Sequence, residues 1–196
     1  VVACNTISAQ SLDEIRKMLP IPLVDVLGPA VKKAVDQTKN KKIGVIGTQG
    51  TINSKAYEIA IKDIDSSIEV ISVGCPLFVP LAEEGLHKHE ATKSIAQDYL
   101  EEIKVAGVDT LILGCTHYPL LLETIAKTVG SSVGLIDSAQ PTAEELKRLL
   151  EEQGLLSQNS SPTYEFFVTD APERVFKVAS RFFGKELKDK IKKVTL

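Results

Sequence analysis

The chain has 196 residues, of which 43% are hydrophobic and 25% charged, and its formal net charge is −3. This length and composition are typical of one large globular domain or two small ones with a buried core. The charge balance excludes a basic surface for nucleic acid, and no apolar run approaches the ~20 residues that a membrane span requires. Three cysteines, an odd number, do not make a disulfide framework, so we expect a reducing, cytoplasmic compartment.

Short apolar runs alternate with segments whose apolar residues recur at helical spacing. The runs are typical of buried parallel strands, and the spaced segments are typical of amphipathic helices. Together they predict an α/β fold with a largely parallel sheet covered by helices. In chain order, the predicted elements are a strand at 1–3, a helix at 8–19, a strand at 23–27, a helix at 30–37, a strand at 43–47, a helix at 53–63, a strand at 68–73, a loop at 76–85, a helix at 91–105, a strand at 110–113, a helix at 119–129, a strand at 133–136, a helix at 141–153, a loop at 155–162, a strand at 164–168, a helix from 170 that ends at 184, and a lysine-rich surface helix at 185–193.

Two of the predicted strands end in a cysteine that is followed by polar residues, in Cys4-Asn5-Thr6 and in Cys115-Thr116-His117. Ligands of open α/β sheets bind beyond the carboxyl ends of the strands, so both thiols are candidates for chemistry. The repeated arrangement suggests two similar lobes with a cleft between them, each lobe supplying one thiol. The predicted first lobe comprises residues 1–27 and 141–196, and the second lobe comprises residues 28–140.

Two thiols on opposite walls of a cleft can act on both faces of one carbon. One thiol removes a proton while the other returns a proton to the opposite face, which racemises or epimerises the centre. With each sulfur ~3–3.5 Å from that carbon, the sulfurs are expected roughly 6–7 Å apart, too far for a disulfide. A helix N-terminus, and His117 beside Cys115, are expected to lower the thiol pKa. The alternative interpretation is that Cys4 and Cys115 only fill core space.

The loop at 47–51 separates a predicted strand from a helix. Its backbone N–H groups and the hydroxyls of Thr48 and Thr51 could hold a carboxylate or a phosphate, and a plain turn capped by threonine is an equal alternative. The loop lacks the patterns of nucleotide-binding loops. A zinc site made of Cys4, Cys115 and His117 lacks a visible fourth ligand. Other polar groups have structural interpretations: Asn5, Thr6, Thr116, Asp137 and Ser138 as helix caps, Cys75 as a structural thiol, and His87 and His89 as solvated side chains.

Three blocks of this sequence resemble those of the glutamate racemases, within the aspartate/glutamate racemase family. They are Val2-Ala3-Cys4-Asn5-Thr6, the segment 74–85 (Gly-Cys-Pro-Leu-Phe-Val-Pro-Leu-Ala-Glu-Glu-Gly), and Leu113-Gly114-Cys115-Thr116-His117-Tyr118-Pro119. Aspartate racemases typically carry Glu after the second Cys-Thr, so His117 favours glutamate. The resemblance implies a two-lobed, cofactor-independent enzyme, commonly a homodimer, that interconverts L- and D-glutamate and supplies D-glutamate for peptidoglycan.

The resemblance also implies roles for individual residues, and it implies no metal. Cys4 and Cys115 would be the two acid/base groups. His117 would assist Cys115, and Glu83 would be a further contributor. The side chains implied to hold the carboxylates and the amine of the substrate are Asn5, Thr6, Thr48, Thr51 and Thr116.

The start of the chain departs from the family pattern. The chain opens inside a strand pattern without an initiator Met, so we expect that the N-terminal part of a longer protein is missing. The family carries an Asp-Ser and a Tyr-Gly block in its site, and both would precede Val1. For the chain as given, we expect impaired folding around Cys4 and little or no racemase activity, which an assay of D-glutamate formation tests.

Three other functions stay open from the sequence. The first is a racemase of another small acid such as aspartate, which a substrate panel distinguishes. The second is a pyridoxal-phosphate racemase, which needs a Schiff-base lysine. The third is a non-catalytic domain of the same fold that binds a small ligand or a protein, whose activity would survive replacement of Cys4 or Cys115.

Overall fold

The apolar runs in the middle of the chain form a parallel sheet of four strands. In the computed structural model, which describes residues 1–159, 161–183 and 191–195, the spatial order of the strands is β2-β1-β3-β4, and all neighbours pair in parallel. The predicted α/β fold with a parallel sheet covered by helices is therefore confirmed. The strands are β1 (Lys42–Gly47), β2 (Glu69–Gly74), β3 (Thr110–Gly114) and β4 (Gly134–Asp137).

Helices cover both faces of this sheet. Side chains alternate along a strand, so Leu111 and Leu113 of β3 pack in one apolar cluster with α6 (Phe78–Glu84), α7 (Glu90–Ala106) and α8 (Leu122–Val129). Ile112 packs in the other cluster with α3 (Leu27–Gln37) and α5 (Ala56–Ile64). A short 3-10 turn at Tyr118–Leu121 precedes α8. The helices around the sheet are α1 (Asn5–Gln10), α2 (Leu12–Met18), α3 (Leu27–Gln37), α4 (Gln49–Asn53), α5 (Ala56–Ile64), α6 (Phe78–Glu84), α7 (Glu90–Ala106), α8 (Leu122–Val129) and α9 (Ala139–Glu152).

The N-terminal elements differ from the prediction. The expected strands at 1–3 and 23–27 are reduced to a single parallel bridge between Val2 and Asp25. Asp25 Oδ1 accepts hydrogen bonds from the backbone N–H groups of Leu27 and Gly28 at 2.8 and 2.9 Å, which satisfies the open donors of the first turn of α3. This helix therefore begins at Leu27, before the expected break, and the predicted helix at 8–19 is interrupted at Ser11.

Two other segments, at α6 and at α4, are helical where the sequence predicted a loop. Segment 76–85, expected to be a loop, contains α6. The helix tolerates Pro80 because this proline lies in the first turn, where the missing N–H costs nothing. The predicted helix at 53–63 begins earlier, as α4, and the Thr48 hydroxyl caps it by accepting from the N–H of Thr51 at 3.3 Å. Lys55, in the left-handed conformation, separates α4 from α5.

Residues 156–196 form a second compact unit, distinct from residues 1–155. It contains β5 (Phe166–Val168), α10 (Pro172–Phe183) and β6 (Ile191–Lys193), and β5 pairs with β6 in parallel. The predicted surface helix at 185–193 is wrong at its end, where Ile191 pairs with Phe166 in a strand, and residues 184–190 lie outside the described residues. The division into lobes of 1–27 with 141–196 and 28–140 stays a prediction. In the described part of the chain, no helix is long and apolar enough to cross a membrane.

Replacing Gly114 by alanine is expected to destabilise the sheet. A Cβ atom at Gly114 would lie 2.8 Å from the backbone oxygen of Ile46 and 3.2 Å from Cε2 of Tyr57, so the backbone has to shift. We expect the free energy of unfolding to fall by about 1–3 kcal/mol, measured by urea denaturation.

The matched control is Gly28→Ala, in the first turn of α3. A Cβ atom there finds only the Asp25 carboxylate, at 3.7 Å, an ordinary contact. We expect this variant to be as stable as the parent or more stable by up to about 1 kcal/mol. Equal stability of the two variants would contradict the steric explanation for Gly114.

Candidate active site

Three glycines lie side by side at the carboxyl edge of the sheet. Gly47 of β1 is in register with Gly74 of β2 and with Gly114 of β3. The residues that directly follow these glycines are Thr48, Cys75 and Cys115. Because the glycines are in register, these three residues leave the sheet at the same level. Since ligands of parallel sheets bind beyond this edge, these residues define the place of a site.

Cys4 lies near Cys115. It precedes α1 as its N-terminal flanking residue and is exposed, whereas Cys115 is 7% exposed. Negative charge on Cys4 contributes to raising the pKa of Cys115, so the two thiols are close enough to interact electrostatically. Both are free thiols. The expected separation of roughly 6–7 Å between the two sulfurs stays a prediction.

Burial decides the protonation state of Cys115. It raises the pKa of this thiol to about 11, and the N–H groups of His117 and Tyr118 offset the rise only in part. The local turn lowers the thiol pKa as expected, but the expected net lowering is wrong for Cys115. The hydrogen bonds that favour thiolate are present, but desolvation of the charged sulfur is the larger effect.

His117 connects Cys115 to Glu83. Its Nδ1 lies 4.0 Å from the Cys115 sulfur, and its Nε2 lies 3.4 Å from Oε1 of Glu83. A carboxylate accepts hydrogen bonds, so Nε2 carries the proton toward Glu83. In a neutral imidazole this leaves Nδ1 as an acceptor facing the thiol. The arrangement can receive the Cys115 proton and stabilise the resulting imidazolium.

Tyr118 ties together the turns that carry these groups. Its buried hydroxyl donates to the backbone oxygen of Cys75 at 3.0 Å, and its ring packs edge-on against Phe78 with centroids 5.3 Å apart. The turn after β3 is thereby joined to the turn before α6, the helix that carries Glu83. Burial, together with the nearby Cys115, raises the pKa of the Cys75 thiol to about 12, in keeping with a structural role.

Three threonine hydroxyls form a closed ring beside this edge. Oγ1 of Thr6 lies 2.9 Å from that of Thr48 and 3.1 Å from that of Thr51, and the last two are 3.0 Å apart. Thr6 belongs to α1, while Thr48 and Thr51 flank and begin α4. The structure therefore brings together three of the five predicted substrate-binding side chains, although Thr6 and Thr48 are 42 residues apart.

Asn5 is the fourth of these side chains, and it is 2% exposed. Its Oδ1 accepts a hydrogen bond from the Tyr57 hydroxyl at 2.5 Å. Among the residues that the structure describes, its Nδ2 is a buried donor without a hydrogen-bond partner. A buried donor of this kind favours the binding of a ligand that supplies an acceptor oxygen.

The remaining predicted residues have simpler settings. Thr116 is exposed in the turn after β3. Asp137 accepts from the N–H of Ala139, the first residue of α9, at 2.5 Å, as expected of a cap, whereas the Ser138 side chain makes no capping hydrogen bond. His89, expected to be solvated, also accepts from the N–H of Ala91 at 3.1 Å and so begins α7. Within the described ranges, no three His, Cys, Asp or Glu side chains are grouped to hold a metal ion.

The sequence did not single out Tyr57 or Tyr118 as site residues. Both lie among apolar residues of the core clusters, where a tyrosine looks like any other packing residue. The available signal was the hydroxyl, because a buried tyrosine normally needs a hydrogen-bond partner. Sequence spacing does not reveal that partner, since Tyr57 and Tyr118 reach residues 52 and 43 positions away.

Comparisons of the sequence and of the structure with known proteins both give matches to racemases. The pattern of the family described as Asp/Glu/Hydantoin racemase matches residues 1–146. The glutamate racemase of Geobacter metallireducens is 46% identical over 190 residues, which cover 96% of this chain and 70% of that protein. A crystal structure of a glutamate racemase isoform from Bacillus anthracis superposes with a TM-score of 0.93 at 36% identity, covering all of this chain and 74% of that one. A second, of the Francisella tularensis glutamate racemase in complex with D-glutamate, has a TM-score of 0.90 at 37% identity and covers 98% of this chain and 71% of that one.

Alkylation by iodoacetamide is expected to modify Cys4 before Cys115. Because the thiolate is the nucleophile, a pKa of about 11 leaves about one Cys115 in a thousand reactive at pH 8. We expect the rate at Cys115 to rise roughly tenfold per pH unit between pH 7 and 9. Peptide mass spectrometry of a Cys4→Ser variant isolates this rate. A rate at Cys115 that is independent of pH, or equal to that at Cys4, would contradict the assignment.

Proposed function

The chain belongs to the Asp/Glu/hydantoin racemase family as an amino-acid racemase, and we propose that it interconverts L- and D-glutamate with two cysteines and without a cofactor. The observation that supports this most directly is that Tyr57 joins the two cysteine segments: its hydroxyl donates to Asn5, next to Cys4, and its ring lies against Gly114, next to Cys115. Two thiols near one another, each free of a disulfide, supply the pair of acid/base groups that the reaction requires.

The proposed reaction moves one proton at each face of the α-carbon. The thiolate of one cysteine removes the α-proton, and the electron pair of the broken C–H bond remains on a carbanion-like centre next to the carboxylate. The thiol of the other cysteine then gives its proton to the opposite face and becomes the thiolate. After one turnover the two cysteines have exchanged protonation states, so the opposite enantiomer restores the first state.

His117 and Glu83 are proposed to serve the Cys115 side of this reaction. A buried thiol with a raised pKa is suited to hold its proton until the carbanion forms. When Cys115 acts as the base instead, its thiolate is stabilised by a protonated His117, whose Nε2 faces Glu83 at 3.4 Å. The carboxylate in turn stabilises the positive imidazolium.

Substrate binding is proposed to use the polar wall formed by Asn5 and the threonine ring. The unpartnered Nδ2 of Asn5 would donate to a substrate carboxylate, which removes a desolvation cost of about 1–3 kcal/mol. The hydroxyls of Thr6, Thr48 and Thr51 would bind further carboxylate oxygens or the amine. Thr116, next to Cys115, is proposed to complete this set from the exposed turn.

The cellular role follows from the family resemblance. We propose that the protein acts in the cytoplasm, supplies D-glutamate for peptidoglycan and assembles as a homodimer. The three free thiols fit a reducing compartment. The cleft between two lobes is part of the same proposal.

Replacing either of the two proposed acid/base cysteines is expected to stop two-way turnover. In a polypeptide that racemises glutamate, Cys4→Ser and Cys115→Ser should each lower the rate by about 10²- to 10⁴-fold, the range for loss of a general acid or base. The measurement is circular dichroism of the glutamate, together with incorporation of solvent deuterium at the α-carbon by mass spectrometry.

Cys75→Ser is the matched control, because the buried thiol of this third cysteine donates to the backbone oxygen of Val73, at 3.8 Å, which a serine hydroxyl can also bind. It should retain turnover. Full activity in Cys4→Ser or Cys115→Ser would refute the two-cysteine mechanism and leave a binding domain or another mechanism.

Glu83→Gln tests the role of the carboxylate behind His117. A hydrogen bond to a charged group contributes about 1.5–3 kcal/mol, so its loss should lower kcat about 10- to 100-fold with little change in KM. Glu84→Gln, one residue further along α6 and exposed, is the control and should keep kcat within about twofold. Equal effects of the two substitutions would rule out a specific contribution of Glu83.

A further inference from the structure

Tyr57 links the sheet edge at Cys115 to Asn5. It is the second residue of α5 and is 2% exposed. Its ring lies against β3 just before the catalytic turn, where a Cβ atom at Gly114 would come within 3.2 Å of Cε2. Its hydroxyl reaches α1 and donates to Asn5 Oδ1 at 2.5 Å. The side chain therefore spans from the strand that presents one thiol to the residue that follows the other.

This contact fixes the orientation of the Asn5 amide. An asparagine side chain has an accepting oxygen and a donating NH₂ on opposite sides of one carbon. Its terminal torsion is broad, so packing alone distinguishes the two ends poorly. A donor held at Oδ1 selects one orientation and thereby determines the direction of Nδ2, the buried donor without a partner.

The Tyr57 hydroxyl is suited to be a permanent donor. Burial raises its pKa far above the usual range, and the negative charges of Asp25 and Cys115 raise it further. The hydroxyl thus keeps its proton and remains a donor to Asn5 Oδ1.

We propose that Tyr57 is a positioning residue for glutamate, which holds the Asn5 amide so that Nδ2 is presented to a substrate carboxylate. This inference rests on the proposed function, since it assigns the ligand of Asn5 as a glutamate carboxylate. Tyr57 acts through Asn5 and does not touch the reacting carbon. Its effect therefore belongs to binding and not to proton transfer.

The test is Tyr57→Phe, which removes the hydroxyl and keeps the ring. We expect Kd and KM for D-glutamate to rise about five- to tenfold with kcat within about twofold, corresponding to one buried hydrogen bond. Kd is measured by titration calorimetry to millimolar glutamate. The matched control is Tyr99→Phe, because Tyr99 is another tyrosine packed against the core, with its ring edge-on to Phe78 at 5.4 Å. This control should keep Kd and KM within about twofold of the parent.

A double-substitution cycle separates positioning from general loss of stability. If Tyr57 acts through Asn5, Tyr57→Phe should change Kd by less than about twofold in an Asn5→Ala background, because the group it orients is gone. Effects of Tyr57→Phe that are equal in both backgrounds, or an unchanged Kd in the single variant, would overturn the inference.

A spectroscopic measurement makes the outcome independent of turnover. The side-chain amide signals of Asn5, identified by their loss in Asn5→Ala, are followed in ¹⁵N-labelled protein by NMR. We expect them to shift in Tyr57→Phe but not in Tyr99→Phe, and to shift again when D-glutamate binds the parent. Unshifted signals in Tyr57→Phe would overturn the inference while glutamate racemisation stands. A parent that does not bind glutamate refutes the proposed function instead.

Discussion

The register of the central strand β1 is the constraint on which the site depends. Because Gly47 pairs with both Gly74 and Gly114, three strands end at one level, and the residues that follow them converge. Glycine is required at the last of these positions, since a Cβ atom there would lie 2.8 Å from the backbone oxygen of Ile46. Close approach of β1 and β3 thus brings the Cys115 turn beside the Thr48 turn and α4.

Burial gives the two thiols different environments, although the sequence presents them in similar motifs. Cys4 is exposed, while Cys115 is covered by the core cluster beneath α6, α7 and α8. For a reaction that needs one thiol and one thiolate, such asymmetry is useful, because two identical sites would resist holding different charges. In the proposed mechanism His117 and Glu83 serve the buried side, where a newly formed charge is most costly.

The sheet could be predicted from sequence because Ile43, Ile46 and Leu111 belong to continuous apolar runs between turn signals. The thiols could also be identified, because each follows such a run. What could not be predicted depended on contacts far apart in the chain. The ring of Thr6, Thr48 and Thr51 and the bond from Tyr57 to Asn5 join segments more than 40 residues apart. The pKa of Cys115 likewise depends on how deeply the folded chain buries it, and local sequence does not encode that depth.

A closed triangle of hydroxyls, such as that of Thr6, Thr48 and Thr51, can circulate its three hydrogen bonds clockwise or anticlockwise. The two senses differ only in rotation about C–O bonds, so all heavy atoms keep their positions and interconversion is fast. A hydrogen turns outward to an anion only where one of the three bonds opens, and a lone pair that the ring leaves unused can accept from an ammonium group. Mirror-image ligands present these groups in exchanged places, and in the proposed function the ring could bind either of them with its heavy atoms fixed.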